Sequence, residues 1–275
     1  MTPDASQDPA ADRCRPLSSL PGDRWRAVVG LATDLDDTLT THGELTSAVI
    51  AALEDVRAQG LPCVVATGRS LGWGAVLGRV LPVQAVVTEN GGAYVLREGN
   101  GVRVAFVDPD EVRDEGMRRV GVCVAAMRDR FPTLRPVEDA AVRVTDLALD
   151  IAERATVDPA VVHDAVAMVR DAGLHAVTSS IHLHVSYRPA DKVAGLRAAL
   201  GALGLDAGAI DERWVYVGDS PNDAGAFGAM ALSVGVAGVR RFAGRMPAWP
   251  AYVTDDDGAA GFAAVVAAMR AGRRS

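Results

Sequence analysis

Aromatic residues and cysteines are scarce in this sequence. Phe, Trp and Tyr make up only 5% of its 275 residues, which is too few for a surface that stacks nucleic-acid bases. Cys14, Cys63 and Cys123 lie far apart and do not form the paired spacing of a zinc site. We therefore expect no stacking platform for nucleic acid, and we interpret the cysteines as structural thiols.

Long apolar runs and an excess of positive charge are also absent from the sequence. The longest apolar stretches, such as residues 263–269, are much shorter than the roughly 20 residues that cross a bilayer. The formal net charge of −7 argues against non-specific binding to nucleic acid or acidic membranes, although it is compatible with a local basic pocket for one phosphate. The first 23 residues are rich in Pro, Asp and Ala and lack the apolar core of a secretory signal. We predict a flexible tail over residues 1–24 and a cytoplasmic protein that binds neither nucleic acid nor membrane.

Polar segments follow directly after four apolar, strand-like runs. In an open α/β sheet the carboxyl ends of parallel strands form the ligand crevice, so polar groups at these positions favour chemistry over solubility. The helical apolar stripe of residues 45–59 predicts a crossover helix after the first segment. The sequence therefore predicts an α/β fold in which helices flank a parallel sheet. The four segments are 34–38 (Asp-Leu-Asp-Asp-Thr), 66–70 (Ala-Thr-Gly-Arg-Ser), 89–92 (Glu-Asn-Gly-Gly) and 218–223 (Gly-Asp-Ser-Pro-Asn-Asp).

Two carboxylates in the first segment are candidates for catalysis. Side chains alternate along an extended chain, which allows Asp34 and Asp36 to share one face. One of them could attack an electrophile or bind a cation while the other moves a proton. The alternative is a helix N-cap, since Asp37 and Thr38 are good capping residues. The motif alone does not decide between the two interpretations.

The segment between residues 93 and 188 departs from this rhythm. The turn Gly99-Asn100-Gly101 predicts a hairpin, which we interpret as the start of an insertion. Two helices, at 111–130 and 159–172, and two strands, at 142–151 and 176–187, are predicted to follow. The sequence thus predicts a catalytic core over residues 25–92 and 189–275, interrupted by an α/β cap over residues 93–188.

The predicted strand 176–187 has one apolar and one polar face. Leu183 and Val185 belong to the apolar face, whereas His182 and His184 belong to the polar face. The two histidines could form a metal pair, but no third ligand is nearby in the sequence, so zinc binding is the weaker interpretation. A face that meets solvent or substrate is the stronger one.

The order of the polar motifs suits the hydrolysis of a phosphate monoester. This reaction requires a nucleophile, a proton donor for the leaving oxygen and positive charge around the phosphoryl oxygens. With Asp34 and Asp36 followed by Thr67, Lys192 and Asp219, the sequence resembles the haloacid dehalogenase superfamily of aspartate-nucleophile phosphatases, from residue 27 to the last helix. The resemblance implies a Rossmann-like core, in which Asp34 forms an aspartyl phosphate and Asp36 is the acid and base.

The same resemblance implies a Mg²⁺ cofactor. A hard divalent cation takes oxygen ligands and bridges to phosphate, which agrees with the acidic segments. The implied ligands are the side chains of Asp34 and Asp219 and the backbone carbonyl of Asp36. The remaining implied residues are Asn222 and Asp223, which orient the metal shell and Lys192, and Thr67, Gly68 and Lys192, which bind the phosphoryl oxygens.

The position of the insertion, between the Thr67 and Lys192 motifs, resembles the type IIB cap of Cof-like and sucrose-phosphate phosphatases. It implies a small phosphorylated substrate, with sugar phosphates as the leading class. The candidate substrate-binding residues are Arg69, Asn90, His182 and His184. A phosphomutase and a non-catalytic sugar-phosphate-binding protein remain alternatives, whereas Asp36 disfavours a dehalogenase. The sequence does not predict an oligomeric state.

Overall fold

The computed structural model of the protein describes residues 14–274. Strands and helices alternate along most of this range, as predicted. The strands are β1 (Arg15–Pro16), β2 (Gly30–Thr33), β3 (Thr40–Thr41), β4 (Glu44–Leu45), β5 (Cys63–Ala66), β6 (Ala85–Thr88), β7 (Ala93–Glu98), β8 (Gly101–Phe106), β9 (Arg135–Pro136), β10 (Asp146–Asp150), β11 (His175–Thr178), β12 (His182–Ser186), β13 (Trp214–Gly218), β14 (Leu232–Gly235) and β15 (Tyr252–Val253). The helices are α1 (Gly22–Arg26), α2 (Ser47–Ala58), α3 (Leu71–Val80), α4 (Asp110–Arg130), α5 (Pro159–Asp171), α6 (Lys192–Ala202), α7 (Ile210–Arg213), α8 (Ala224–Ala229) and α9 (Gly258–Arg274).

A nine-stranded sheet forms the centre of the molecule, with the order β1-β15-β14-β13-β2-β5-β6-β7-β8. Strands β13, β2, β5 and β6 are neighbours and run parallel. Because the four polar segments follow these four strands, they meet side by side at one edge of the sheet. The predicted α/β fold is confirmed.

Helices cover both faces of the central sheet and bury its alternating side chains. Leu31 and Val65 face a cluster that includes residues of α2 and α9, whereas Ala32 and Val64 face a cluster that includes residues of α6 and α8. This alternation follows from the period of two along a strand, and both faces are apolar because both are covered. Gly30 is required within β2, since a Cβ there would stand 2.5 Å from the ring of Trp214.

A second, antiparallel sheet has the order β11-β12-β10-β9. Leu149, Leu183 and Val185 on one face pack in a cluster with apolar residues of α4 and α5. The opposite face carries His184, which comes close to Gly68 of the central sheet's polar edge. This sheet and its two helices form the cap, which lies over the carboxyl edge of the central sheet.

The hairpin of β7 and β8 differs from the prediction, because it belongs to the central sheet rather than to the cap. Strand β7 pairs antiparallel with β6, and β8 pairs with β7 at the sheet edge. Val95 and Leu96 are buried against the core. A turn motif predicts a hairpin but does not reveal which sheet the hairpin joins. The inserted cap therefore begins after Phe106, not at residue 93.

The predicted single strand 176–187 is also wrong, because the structure breaks it into the hairpin of β11 and β12. The hydroxyl of Ser179 accepts hydrogen bonds from the backbone amides of Ile181 and His182, at 3.3 and 3.0 Å. Serine side chains that bond to nearby backbone favour turns over continued strands. The strict alternation of apolar residues concealed this turn.

The N-terminal segment is ordered over the part that the structure describes. Strand β1 pairs in parallel with β15, and Trp25 of α1 is buried with residues of α9. The predicted flexible tail is therefore wrong for residues 15–24, while residues 1–13 lie outside the described residues. The tail was predicted from amino-acid composition, and composition does not reveal a two-residue strand at the edge of a sheet. Among residues 14–274, no helix is long and apolar enough to cross a membrane.

Candidate active site

Lys192 lies at the centre of the polar edge of the central sheet. Its Nζ donates hydrogen bonds to Asp34 Oδ1 at 2.6 Å and to Asp223 Oδ1 at 2.7 Å. Lys192 is the first residue of α6, whose N-cap Asp191 accepts a hydrogen bond from the amide of Ala194. Burial alone would lower the pKa of Lys192, but Asp223 and Asp34 raise it above its usual range. The lysine is thus a buried, permanently charged cation.

The carboxylates around Lys192 outnumber it. Burial raises the pKa of Asp34 to about 8, with Lys192 opposing the shift and Asp223 and Asp36 adding to it. Asp219, buried beside them, has its pKa raised well above its usual value by burial and by Asp34. One lysine does not balance the negative charge of Asp34, Asp219 and Asp223.

Asp219 is the unsatisfied member of this group. Neither of its carboxylate oxygens has a hydrogen-bond partner among residues 14–274, although the residue is only 1% exposed. Ligand oxygens of Asp34, Asp219 and Asp223 lie within 4.8 Å of one another. Buried carboxylate oxygens without partners at this spacing fit a divalent cation, which takes oxygen ligands.

Asp223 is engaged by the protein itself. Its Oδ1 accepts hydrogen bonds from Lys192 and from the hydroxyl of Tyr216, at 2.7 and 2.5 Å. Its Oδ2 accepts from the backbone amides of Asp219 and Ser220, at 3.0 and 3.1 Å. These contacts engage both oxygens of Asp223. Asp219, together with Asp34, of which Lys192 engages Oδ1, could therefore hold a cation, with Asp223 supporting them.

Thr67 and Gly68 form the turn after β5, next to the turn after β2. Thr67 is fully buried, and its hydroxyl accepts a hydrogen bond from the amide of Arg69 at 3.0 Å. Gly68 lies against the cap, since a Cβ there would stand 3.0 Å from His184 Nε2 and 3.3 Å from Asn90 Nδ2. A side chain at this position would therefore require His184 and Asn90 to shift by a few tenths of an ångström.

Asp36 is held by Arg69 rather than by Lys192. Arg69 Nε lies 3.0 and 3.1 Å from the two oxygens of Asp36, and Arg69 Nη2 lies 2.8 Å from Oδ1. The same Nη2 contacts Glu153 Oε1 of the cap at 2.9 Å. Glu153 Oε2 in turn lies 2.8 Å from His182 Nε2. Glu153 therefore lies between His182 and Arg69. The sequence analysis did not predict Glu153, because the segment around it carries no periodic pattern.

His184 and Asn90 present unpartnered polar atoms beside Gly68. His184 Nδ1 contacts Asp146 Oδ2 at 2.8 Å, while His184 Nε2 and Asn90 Nδ2 have no partner among the described residues. Burial lowers the pKa of His184, although Asp146 opposes this effect. A neutral imidazole that donates Nδ1–H to Asp146 leaves Nε2 as an acceptor. Asn90 Oδ1 accepts a hydrogen bond from Asn222 Nδ2 at 3.3 Å. The Nδ2 of Asn90 is therefore the donor beside His184 Nε2.

Two further charged residues, neither of which was among the predicted site residues, join the cap to this edge. Glu89 accepts hydrogen bonds from the amides of Leu71 and Thr145, at 2.8 and 2.6 Å. Burial raises the pKa of Glu89 to about 7. Arg143, also buried, donates to the carbonyl of Gly68 at 3.1 Å and to Asp146 at 2.7 Å. An acidic residue in a polar strand-end segment was a usable signal for Glu89, whereas Arg143 offered none.

A capped α/β core with buried aspartates and one lysine at the sheet edge defines a class of hydrolases that act on phosphate esters. Residues 31–114 match the model of the haloacid dehalogenase-like hydrolase family. A phosphoglycolate phosphatase of Pyrobaculum neutrophilum is 30% identical over 74% of this chain and 82% of its own length. A phosphoglycolate phosphatase of Methanosarcina mazei is 26% identical over 75% and 82%, respectively. The chain therefore belongs to the haloacid dehalogenase-like hydrolase family and is a phosphoric monoester hydrolase.

A comparison of folds agrees with this assignment. The sucrose-phosphatase of Synechocystis sp. PCC6803, solved in complex with sucrose and phosphate, superposes with a TM-score of 0.63. The match covers 89% of this chain and 98% of the phosphatase, at 18% identity. This likeness confirms the predicted α/β fold.

Proposed function

We propose that the protein is a Mg²⁺-dependent phosphatase that uses Asp34 as its nucleophile. The observation that carries this proposal is the pair of buried, unpartnered oxygens of Asp219 beside Asp34 and Lys192. Asp34, Asp219 and the backbone carbonyl of Asp36 would hold the metal, with Asn222 and Asp223 around them. When bound, Mg²⁺ would offset the negative charge that otherwise keeps a phosphate dianion from the carboxylates.

The chemistry then divides between the two aspartates. An oxygen of Asp34 forms a bond to phosphorus while the ester P–O bond breaks, and Asp36 gives a proton to the departing oxygen. Asp36 next takes a proton from the water that attacks the aspartyl phosphate, which releases phosphate and restores Asp34. Lys192, Thr67 and the amide of Gly68 bind the phosphoryl oxygens throughout.

The polar pair beside Gly68 supports a substrate whose leaving group carries a hydroxyl. His184 Nε2 could accept a hydrogen bond and Asn90 Nδ2 could donate one, and neither atom has a partner among the described residues. One hydroxyl group could satisfy both. Sugar phosphates and other phosphorylated polyols have hydroxyls near the ester. Arg69, at the open side of the site, is a further contact for the leaving group. His182 bonds to Glu153 and acts behind Arg69 in this proposal, rather than on the substrate.

Phosphoglycolate is a second candidate substrate, because both curated relatives are phosphoglycolate phosphatases. Its carboxylate would need a cation, and Arg69 is the cation that lies next to Asp36. A neutral His184 that accepts through Nε2 would disfavour a carboxylate at its own position. The two candidate substrates therefore differ in the residue that would bind the leaving group, which is His184 for a hydroxyl and Arg69 for a carboxylate.

A panel of phosphorylated metabolites tests the proposal, with phosphate release measured with Mg²⁺ and with EDTA. We expect Mg²⁺-dependent release from at least one hydroxyl-bearing ester, lost in Asp34→Asn. Preferred turnover of phosphoglycolate would select the second candidate. Conversion of substrate without free phosphate would indicate a phosphomutase, and absence of turnover on every ester would indicate a binding protein.

A further inference from the structure

Asp36, the acid and base of the proposed reaction, is held by Arg69 of the core, which in turn contacts the cap. Arg69 contacts both oxygens of Asp36 with Nε and adds a third contact with Nη2, at 2.8 to 3.1 Å. A guanidinium is rigid and planar, so such a contact fixes the plane of the carboxylate as well as its position. The position of Arg69 therefore sets the orientation of the Asp36 carboxylate, the group that gives and takes the proton in the proposed reaction.

Arg69 is held on its other side by the cap. Its Nη2 lies 2.9 Å from Glu153 Oε1, and its guanidinium stands 5.4 Å from the centre of the Trp73 ring. The Arg69 side chain is 13% exposed, so solvent does little to replace these contacts. Trp73 belongs to α3 of the core, so Glu153 is the contact with Arg69 that the cap supplies.

Glu153 is itself fixed within the cap. Its Oε2 lies 2.8 Å from Nε2 of His182, a buried residue of β12. Its backbone amide donates to Asp150 Oδ1 at 2.8 Å, at the end of β10. Both supports lie in the cap sheet, where Asp150 and His182 are paired across neighbouring strands. The carboxylate of Glu153 thus has a defined place although it lies in a segment without regular structure.

We propose that Glu153 is a positioning residue for proton transfer, acting through Arg69 on Asp36, with His182 as its support. The inference rests on the proposed function, since it assumes that Asp36 protonates the leaving oxygen. Charges alternate along the series Asp36, Arg69 and Glu153, so each group stabilises its neighbour. The proton donor is then oriented only where the cap is in place.

Two aryl phosphates of similar size test this inference, because they differ in how much they need a proton. 4-Nitrophenolate leaves readily unprotonated, whereas phenolate is more basic and gains from general-acid catalysis. In Glu153→Gln we expect kcat/KM for phenyl phosphate to fall about 10-fold and that for 4-nitrophenyl phosphate to fall less than about twofold. His182→Asn should shift the ratio in the same direction by a smaller factor. Glu138→Gln, which disrupts an exposed cap ion pair with Arg154, is the matched control and should leave the ratio unchanged.

The ratio of the two rates separates this role from others. A purely structural role for Glu153, or a direct contact with the substrate, would lower both esters equally, and an equal fall in both variants would overturn the proposal. Rates that stay at the wild-type level for both esters in both variants would overturn it as well. Hydrolysis of the two esters by wild-type protein that persists in Asp34→Asn would overturn the proposed function together with this inference.

Discussion

The inner and outer sides of the site are built differently. The inner side consists of Asp34, Lys192, Asp219 and Asp223, all buried and all supplied by the core. The outer side combines Asp36 and Arg69 of the core with Glu153 of the cap, and its side chains are 13 to 30% exposed. In the proposed mechanism the groups that bond to phosphorus are thus fixed by the sheet edge, whereas the orientation of the proton donor would depend on a second domain.

Charge balance distinguishes the two sides as well. On the outer side, acids and bases alternate, and Glu153, Arg69 and Asp36 satisfy one another. On the inner side, Lys192 bonds to Asp34 and Asp223 but leaves Asp219 without a partner among the described residues. A balanced group needs no added ion, whereas a cation would offset the excess negative charge of the inner group. The proposed metal is therefore assigned to the inner side.

Asp34→Asn is the strongest way to break the inner side. The amide is isosteric but is neither a nucleophile nor an anionic ligand, so we expect kcat to fall by on the order of 10⁴-fold or more. Phosphate release from 4-nitrophenyl phosphate measures the loss, with circular dichroism as the check that the fold is kept. A folded variant with near-normal turnover would remove Asp34 from the mechanism.

The sequence predicted the residues of the inner side more completely than those of the outer side. Asp34 and Asp219 follow parallel strands, so the strand pattern and the sheet-edge rule predict that they lie together, and the order of the motifs adds Lys192. The contact of Glu153 with Arg69 depends on how the cap sheet is placed over the core, which local patterns do not encode. The hairpins β7–β8 and β11–β12 were misassigned for a related reason, because periodicity shows which residues share a face but not which strands pair.

Asp219→Asn sharpens the assignment of the cation to the inner side. Replacing one anionic ligand by an amide should weaken Mg²⁺ binding by about 100-fold or more, since hard cations prefer carboxylate oxygens. Titration of activity with Mg²⁺ measures this change, and EDTA should silence the wild-type protein. Asp164→Asn removes an exposed carboxylate on the cap helix α5 and serves as the control. An unchanged Mg²⁺ dependence in Asp219→Asn would contradict the ligand assignment.

Glu89→Gln probes the joint between core and cap through its pH dependence. Burial raises the pKa of Glu89 to about 7 from an ordinary value of 4.5, so the folded state binds the proton more tightly than the unfolded state. The stabilising contribution is complete below the unfolded pKa and is lost as pH rises toward 7. We expect the free energy of unfolding of wild type, relative to Glu89→Gln, to fall by about 2 kcal/mol between pH 5 and 7.5.

Urea unfolding of both proteins across this pH range measures the effect. Glu44→Gln, which changes an exposed glutamate, should show a constant difference from wild type. The opposite result is a free energy of unfolding of wild type that rises, relative to Glu89→Gln, as pH rises. It would mean that the hydrogen bonds from Leu71 and Thr145 outweigh burial and lower the pKa of Glu89 instead.

His184→Ala tests the smallest effect, which is specificity at the polar pair of His184 and Asn90 beside Gly68. Losing one hydrogen bond to a leaving-group hydroxyl should cost about 1 kcal/mol, or roughly fivefold in kcat/KM, for the preferred sugar phosphate. The same variant should leave kcat/KM for 4-nitrophenyl phosphate unchanged, because the leaving group of this ester has no hydroxyl that could donate a hydrogen bond to His184 Nε2. His163→Ala removes an exposed cap histidine on α5 and should spare both substrates. Equal losses on both substrates in His184→Ala would mean that the bond to Asp146 supports the cap rather than specificity, and that Arg69 and Asn90 read the leaving group.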